Sequence, residues 1–210
     1  CWGSNNYGQL GDGTTTNRST PVAVSVPAGK AFSQLVAGGY HACAIATDST
    51  GWCWGWNSYG QLGDGSATNR TSPVAVTMPS GKTYLKISAG NLHTCAMATD
   101  GTGWCWGYNA SGQVGDGTTA NRSTAVLVGP RITVTKVGTG TGTVTSSPVG
   151  IDCGPTCSSP LGYSFSGAAI SVVLTAMPAA GSYFAGWSGA CTGTTTCSLT
   201  LNQSRAVTAT

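Results

Sequence analysis

The chain has 210 residues, 40% of them hydrophobic and only 7% charged, against roughly 25% charged in an ordinary soluble domain. That hydrophobic share excludes a disordered chain. A net charge of +3, spread over nine scattered Lys and Arg with no basic cluster, excludes nucleic acid as a partner.

No apolar run of about 18 residues occurs, so no membrane-spanning helix is encoded. Glutamate is absent, and the acids are six aspartates, Asp12, Asp48, Asp64, Asp100, Asp116 and Asp152. Ser, Thr, Asn and Gly must therefore cover most of the polar exterior, as in many secreted proteins.

The stretch CWGSNNYGQLGDGTTTNRSTPVAV opens at Cys1 and returns at Cys53 and Cys105, each time after 52 residues. Thirteen of its 24 positions are identical in all three copies. A long, ungapped period marks a propeller or solenoid whose unit is one small sheet. A second half recurs from Gly29 to Trp52 and from Gly81 to Trp104. Residues 1–128 thus hold about two and a half units.

Within one unit, Pro21 to Val26, Phe32 to Ala37, His41 to Thr47 and Trp52 to Trp56 read as strands. Turn signals separate them at Pro27-Ala28-Gly29, Gly38-Gly39 and Asp48 to Gly51. Four short strands per unit predict a propeller blade. An arc of this size leaves an apolar sheet face that further repeats or neighbouring copies are expected to cover.

The series A-G-x-x-H-x-C-A, followed by W-C-W-G-x-N-x-x-G-Q-L-G-D-G, resembles the regulator of chromosome condensation repeat over Cys1 to Val128. That resemblance implies a β-propeller. It implies no single activity: some eukaryotic members exchange nucleotide on a small GTPase and bind chromatin, while many bacterial proteins carry the repeat on secreted or surface proteins.

Asp12 with Arg18 recurs as Asp64 with Arg70 and as Asp116 with Arg122. A pair present once per blade reads as a loop lock, with the carboxylate accepting from turn amides. Cys43 and Cys53 stand ten residues apart across a turn, as do Cys95 and Cys105. On adjacent strands each pair is within reach of a disulfide. A rival reading makes His41, Cys43 and Cys53, and again His93, Cys95 and Cys105, metal ligands. In the blander reading, the two histidines pack at the blade edge and hold the next blade's backbone. By the repeat, the partner of Cys1 falls upstream of this stretch. Cys1 is therefore expected to be free, to pair with residues outside the stretch, or to pair between subunits.

The period stops at Val128, and 129–131 reads as a hinge. Residues 132–210 turn to Thr, Ser and Val. Strands are expected at Ile132 to Val137, Thr143 to Ser146, Ile170 to Ala176, Ser182 to Trp187, Ser198 to Leu201 and Arg205 to Thr210. The whole chain is thus expected to be all-β, a partial propeller arc plus a small sandwich-like module. Local disulfides Cys153–Cys157 and Cys191–Cys197 are the simplest pairing here, with a four-cysteine zinc site as the rival. G-T-G-T-V-T-S-S-P-x-G-I-D-C-G, the F-A-G-W-S-G segment from Phe184 to Gly189 and the closing R-A-V-T-A-T together resemble a bacterial extracellular module related to the internalin B-type repeat. That resemblance implies an exported protein and a spacer or adhesive role.

No catalytic set, cofactor motif or carboxylate pair outside the repeats stands out, and the glycine string from Gly138 to Gly142 leads into a strand rather than a phosphate-binding helix. The expected function is non-enzymatic: an extracellular or cell-surface structural or adhesive protein, self-assembling through blade stacking. A propeller that binds glycan or protein through Trp56, Tyr59 and Tyr108 is the second reading, and a GTPase exchange factor the third. N-x-S/T sites stand at Asn17, Asn69, Asn109, Asn121 and Asn202.

Overall fold

The computed structural model describes residues 1–130, 132–147, 151–153, 156–159, 170–201 and 204–210, with 156–159 and 170 as backbone only. Every regular element among them is a strand. The chain divides into two compact units, Cys1–Val128 and Gly129–Thr210.

In the first unit, β1 (Phe32–Ala37), β2 (His41–Ala46), β3 (Gly51–Gly55) and β4 (Arg70–Ala75) form one antiparallel sheet in chain order. β5 (Tyr84–Ala89), β6 (His93–Ala98), β7 (Gly103–Gly107) and β8 (Arg122–Leu127) repeat it. The hairpin between β2 and β3 is closed by Asp48, whose Oδ1 accepts from the Thr50 hydroxyl at 2.6 Å. Small residues let β2, HACAIA, be buried along its whole length. Apolar side chains from both blades then fill the space between the sheets, among them Ile45, Leu62, Tyr84, Ile87, Trp104 and Trp106.

The blade is phased differently from the expectation. Pro21 to Val26 forms no strand, and the sheet instead ends on the strand that follows the GQLGDG corner. In the first copy, the counterpart of the β3–β4 ladder shrinks to a bridge between Gly3 and Arg18 and two reciprocal 2.8 Å bonds between Cys1 and Val22. The physical reason is pairing. The β4 strand needs β3 beside it, and only Cys1, Trp2 and Gly3 occupy that place in the first copy. Two complete four-stranded blades and this half-blade make up the arc.

In the second unit, β9 (Ile132–Lys136), β10 (Gly142–Ser147), β11 (Asp152–Cys153), β12 (Thr156–Ser159), β13 (Ile170–Pro178), β14 (Trp187–Gly189), β15 (Cys197–Leu201) and β16 (Arg205–Ala209) form two sheets. Their orders are β11-β10-β13-β15 and β12-β9-β16-β14, with β9 and β16 parallel. Alternate residues point inward, Ile132 and Val134, Val172 and Leu174, Leu199 and Leu201, to make one sandwich core. The expected strand at Ser182 to Trp187 is absent, and only Trp187–Gly189 pairs. Ala185 N–H instead bonds the Thr210 carbonyl at 2.8 Å, and Gly186 stands at φ 145, which breaks the ladder.

Candidate functional site

The corner loop between the third and fourth strands is built around one buried asparagine. Asn57 is fully buried. Its Nδ2 donates to Asp64 Oδ1 at 3.0 Å and to the carbonyls of Ser66 and Thr68 at 3.1 Å, while its Oδ1 accepts from Leu62 N–H at 2.9 Å. Asn5 and Asn109 hold the same places with the same bonds. A single primary amide thus ties together the turn from Asn57 to Thr68.

The predicted aspartate–arginine pairs close the outside of each corner. Arg18 Nη2 lies 3.0 Å from Asp12, Arg70 2.8 Å from Asp64 and Arg122 2.5 Å from Asp116. The aspartate side chains are 3%, 3% and 0% exposed, so these are inward-facing carboxylates and not surface charges. The Thr14 hydroxyl, its amide and the Arg18 guanidinium hold Asp12 down to about 2. For Asp64 and Asp116 burial pushes the carboxyl up, but hydrogen bonds from Ser66 or Thr118 and from the arginine outweigh it and hold it below its usual range.

The first two corners also clasp the blade that follows them. Gln9 presents its carbonyl to the indole N–H of Trp54 at 3.0 Å, and Gln61 does the same for Trp106 at 2.9 Å. A Cβ on Gly8 would stand 2.6 Å from Thr71 Cα, and one on Gly60 2.5 Å from Ser123 Cα. These glycines therefore serve close approach as well as their positive φ. The Gln9, Gln61 and Gln113 side chains turn back to accept from the N–H of Tyr7, Tyr59 and Ser111. Asn5 and Gln9 with their counterparts are frame residues to which charge and cysteine spacing do not point. Their identity in all three copies is the signal that finds them.

That frame carries a row of aromatic rings. Tyr7 meets Tyr40 at 5.7 Å and Trp56 at 5.5 Å; Trp56 meets Tyr40 at 5.5 Å and Tyr59 at 5.4 Å; Tyr59 meets Tyr108 at 4.9 Å. The row runs across all three corners. Its anchors are rigid: Trp56 N–H donates to the Tyr40 carbonyl and Tyr108 N–H to the Leu92 carbonyl, both at 2.9 Å. Tyr40 is 44% and Tyr7 36% exposed. Within an otherwise repeated motif the rings sit at changing positions, Ser4, Trp56 and Tyr108 in one register and Tyr7, Tyr59 and Ser111 in another. The hub asparagine, glutamine, glycines and aspartate stay constant while these ring positions differ from copy to copy, so the frame presents a different set of rings at each corner.

The cysteines of β2 and β3 are directly opposed in register and joined, Cys43 to Cys53, and β6 and β7 repeat this with Cys95 and Cys105. With those sulfurs bonded, the histidine–cysteine metal reading has no thiolates to use. Cys191 and Cys197 are joined as well. Cys153 is disulfide-bonded, and the side chain of Cys157 lies outside the described residues, as does Arg131 of the expected hinge. Cys1 is a half-buried free thiol. His41 is buried, and burial, with the nearby charge of His93 adding to it, pushes its ring down to about 4. Its Nε2 donates to Thr94 Oγ1 at 2.8 Å, and Thr94 donates onward to the Gln61 carbonyl at 2.9 Å. His41 therefore holds the next blade through a side-chain relay rather than by its backbone.

Two family models of the regulator of chromosome condensation (RCC1) repeat match the chain, one over residues 1–45 and 51–97, the other over 32–61 and 85–113. The Ultraviolet-B receptor UVR8 of Arabidopsis thaliana is 34% identical over 127 residues, which are 60% of this chain and 29% of the receptor. The human E3 ubiquitin-protein ligase HERC2 is 32% identical over 118 residues, 56% of this chain and 2% of the ligase. Human WBSCR16 matches 83% of this chain and 41% of its own, with a TM-score of 0.53 at 20% identity. Prp20p of Saccharomyces cerevisiae, whose binding to Gsp1p and histones has been characterised, matches 69% of this chain and 36% of its own, with a TM-score of 0.50 at 21% identity. These structural likenesses establish the fold. The chain spans less than a third of the plant receptor and a small fraction of the ligase.

Proposed function

Through residues 1–113 the chain belongs to the RCC1 repeat family, and from that premise we propose that it is a non-enzymatic structural and adhesive module of an extracellular or cell-surface protein, bacterial in origin. The disulfides carry this reading. One bond ties the two middle strands of each complete blade, and another closes a loop of the sandwich. Thiols placed this way persist as disulfides in an oxidising compartment. The likeness of residues 132–210 to the internalin B-type repeat supports a surface location and a bacterial source. Self-assembly by blade stacking is the structural form of the reading.

A second form is favoured by the aromatic row. Its rings are anchored by backbone bonds, and the cation–ring contact among the described residues lies elsewhere, with Lys30 over Trp52. An uncharged row of rings suits the apolar faces of a neutral glycan or a protein loop rather than an acidic ligand.

Thiol labelling of the native protein tests the location. Cys1 alone is expected to react quickly, and nine reactive cysteines would sink the reading. A glycan array with Trp56→Ala and Tyr59→Ala controls tests the row. Binding that survives both substitutions removes the row from recognition.

A further inference from the structure

Trp52, Trp54, Trp104, Trp106 and Trp187 each donate the indole N–H to a hydroxyl or carbonyl of the protein, at 2.6 to 3.0 Å. Trp56, at the centre of the aromatic row, does not. Its indole N–H reaches no acceptor among the described residues and is not buried. The hydroxyls of Tyr40 and Tyr59 beside it are likewise without a protein partner among the described residues and are not buried. Trp56 lies between the first and second corners, with Tyr7 at 5.5 Å on one side and Tyr59 at 5.4 Å on the other. Its surroundings are therefore set by repeats on both sides.

The acceptors of the corner beneath these rings are already in use. Asn57 Oδ1 takes Leu62 N–H, Gln61 Oε1 takes Tyr59 N–H, and Asp64 takes Ser66 and Arg70. What the rings themselves add is apolar faces and an indole donor. Their arrangement is corrugated. Tyr40 stands at 85° to Trp56 and Tyr59 at 68°, which leaves a notch on either side of the indole. A sugar suits such a place poorly, because its flat face needs a parallel ring and each of its hydroxyls brings a donor that wants an acceptor. A proline suits it well. Its pyrrolidine ring fits a notch, and its residue has a carbonyl to accept but no N–H to satisfy.

We propose that Tyr40, Trp56 and Tyr59 bind an uncharged proline-rich segment of a partner protein, held as a polyproline II helix. Pyrrolidine rings pack into the notches beside Trp56, and its indole N–H donates to a backbone carbonyl of the segment. A polyproline II chain makes no internal hydrogen bonds, so its carbonyls are free to accept. It is also ordered before it binds, which lowers the entropic cost of docking. The segment needs no basic flank, because the corner carboxylate of Asp64 is 3% exposed and already paired with Arg70. This inference rests on the aromatic-row form of the proposed function and narrows its partner to protein. A glycan bound by the same rings would leave that form standing and remove this partner.

Fluorescence anisotropy of labelled decaproline titrated with the whole chain tests it, beside a Gly-Ser peptide of the same length and a glycan array. The parent is expected to bind decaproline saturably and with little dependence on salt, and to leave the Gly-Ser peptide unbound. Trp56→Phe keeps a ring and removes the donor, and should weaken binding about fivefold, the worth of one net hydrogen bond. Trp56→Ala should abolish it. Melting temperatures of both variants show whether the blades are intact, and the phenylalanine variant carries the test if the alanine variant fails to fold. A parent that does not bind decaproline, or binding that either variant leaves at full strength, overturns the proposal. In that event, glycan binding that depends on Trp56 keeps the row as a recognition surface, and its absence removes the row as well.

Discussion

The indole N–H of Trp106 donates to the carbonyl of Gln61 at 2.9 Å, from one blade to the corner loop of the blade before it. Gln61 also accepts from Thr94 at 2.9 Å, and Thr94 is the residue His41 reaches. One backbone carbonyl thus gathers an indole, a hydroxyl and, through the hydroxyl, an imidazole. Gly63 keeps the approach of the indole open, since a Cβ there would stand 2.7 Å from Trp106 Nε1, and Gly60 admits the strand beside it, where a Cβ would stand 2.5 Å from Ser123 Cα.

A matched pair of substitutions measures that closeness. Gly60→Asn keeps a tolerated backbone conformation but drives a side chain into Ser123. Overpacking of this kind costs about 1–3 kcal/mol. Gly112→Asn meets nothing within 4 Å among the described residues and should change stability by no more than about 0.5 kcal/mol. Denaturant titrations followed by tryptophan fluorescence compare the two. Equal losses would mean that the penalty lies in the backbone rather than in the clasp.

The aspartate–arginine locks were legible from spacing, because a charge pair six residues apart in a glycine-bounded turn has few other partners. The cross-strand cysteines were legible for a similar reason. The blade phase was not. Val22, Val24 and Val26 alternate as a strand should, but whether such a segment pairs depends on a neighbour that periodicity does not reveal. The aromatic row was only partly legible. Trp56, Tyr59 and Tyr108 could be named, but Tyr7 and Tyr40 join them only once the corners of successive blades are brought together.

The hub asparagine gives a stringent test of the corner. Asn57→Ala leaves the buried Leu62 N–H and the Ser66 and Thr68 carbonyls without their partner. Loss of a buried hydrogen-bond partner costs about 1–3 kcal/mol. Asn57→Asp should cost more, because it removes the donors and brings a second carboxylate to the 3.0 Å contact with Asp64. Melting curves at neutral pH read both, and an aspartate variant more stable than the alanine variant would contradict the assigned amide orientation.

Acid should act on this protein in two stages. His41 in the folded state takes a proton only near pH 4, while the unfolded chain takes it at the ordinary 6.5. Between those values the unfolded state binds more protons, so stability falls as pH falls, by about 3 kcal/mol at most. Asp12, Asp48 and Asp100 are held near 2 by hydroxyl, lysine and arginine partners, so their contribution is present above about 3.8 and is lost as pH drops toward 2. His41→Gln should flatten the stability profile from pH 6.5 to 4 and leave the lower stage intact. An unchanged upper stage in that variant would place the sensitivity elsewhere.

Reduction separates the blades from the hub network that holds them. Cys43–Cys53 and Cys95–Cys105 each close a ten-residue span between strands that are already paired. Loop-closure entropy for so short a span predicts about 2–3 kcal/mol per bond. The loss should appear in each blade separately, because each bond lies inside a single sheet. The Trp106–Gln61 contact lies between sheets and does not depend on either bond directly. Cys43→Ser/Cys53→Ser and Cys95→Ser/Cys105→Ser variants, unfolded in denaturant without reductant, should therefore lose similar amounts, with the double combination close to their sum. A combined loss far larger than the sum would mean that the blades unfold as one unit coupled through the clasp. In that case the Gln61 carbonyl, rather than either disulfide, sets the cooperativity of the arc.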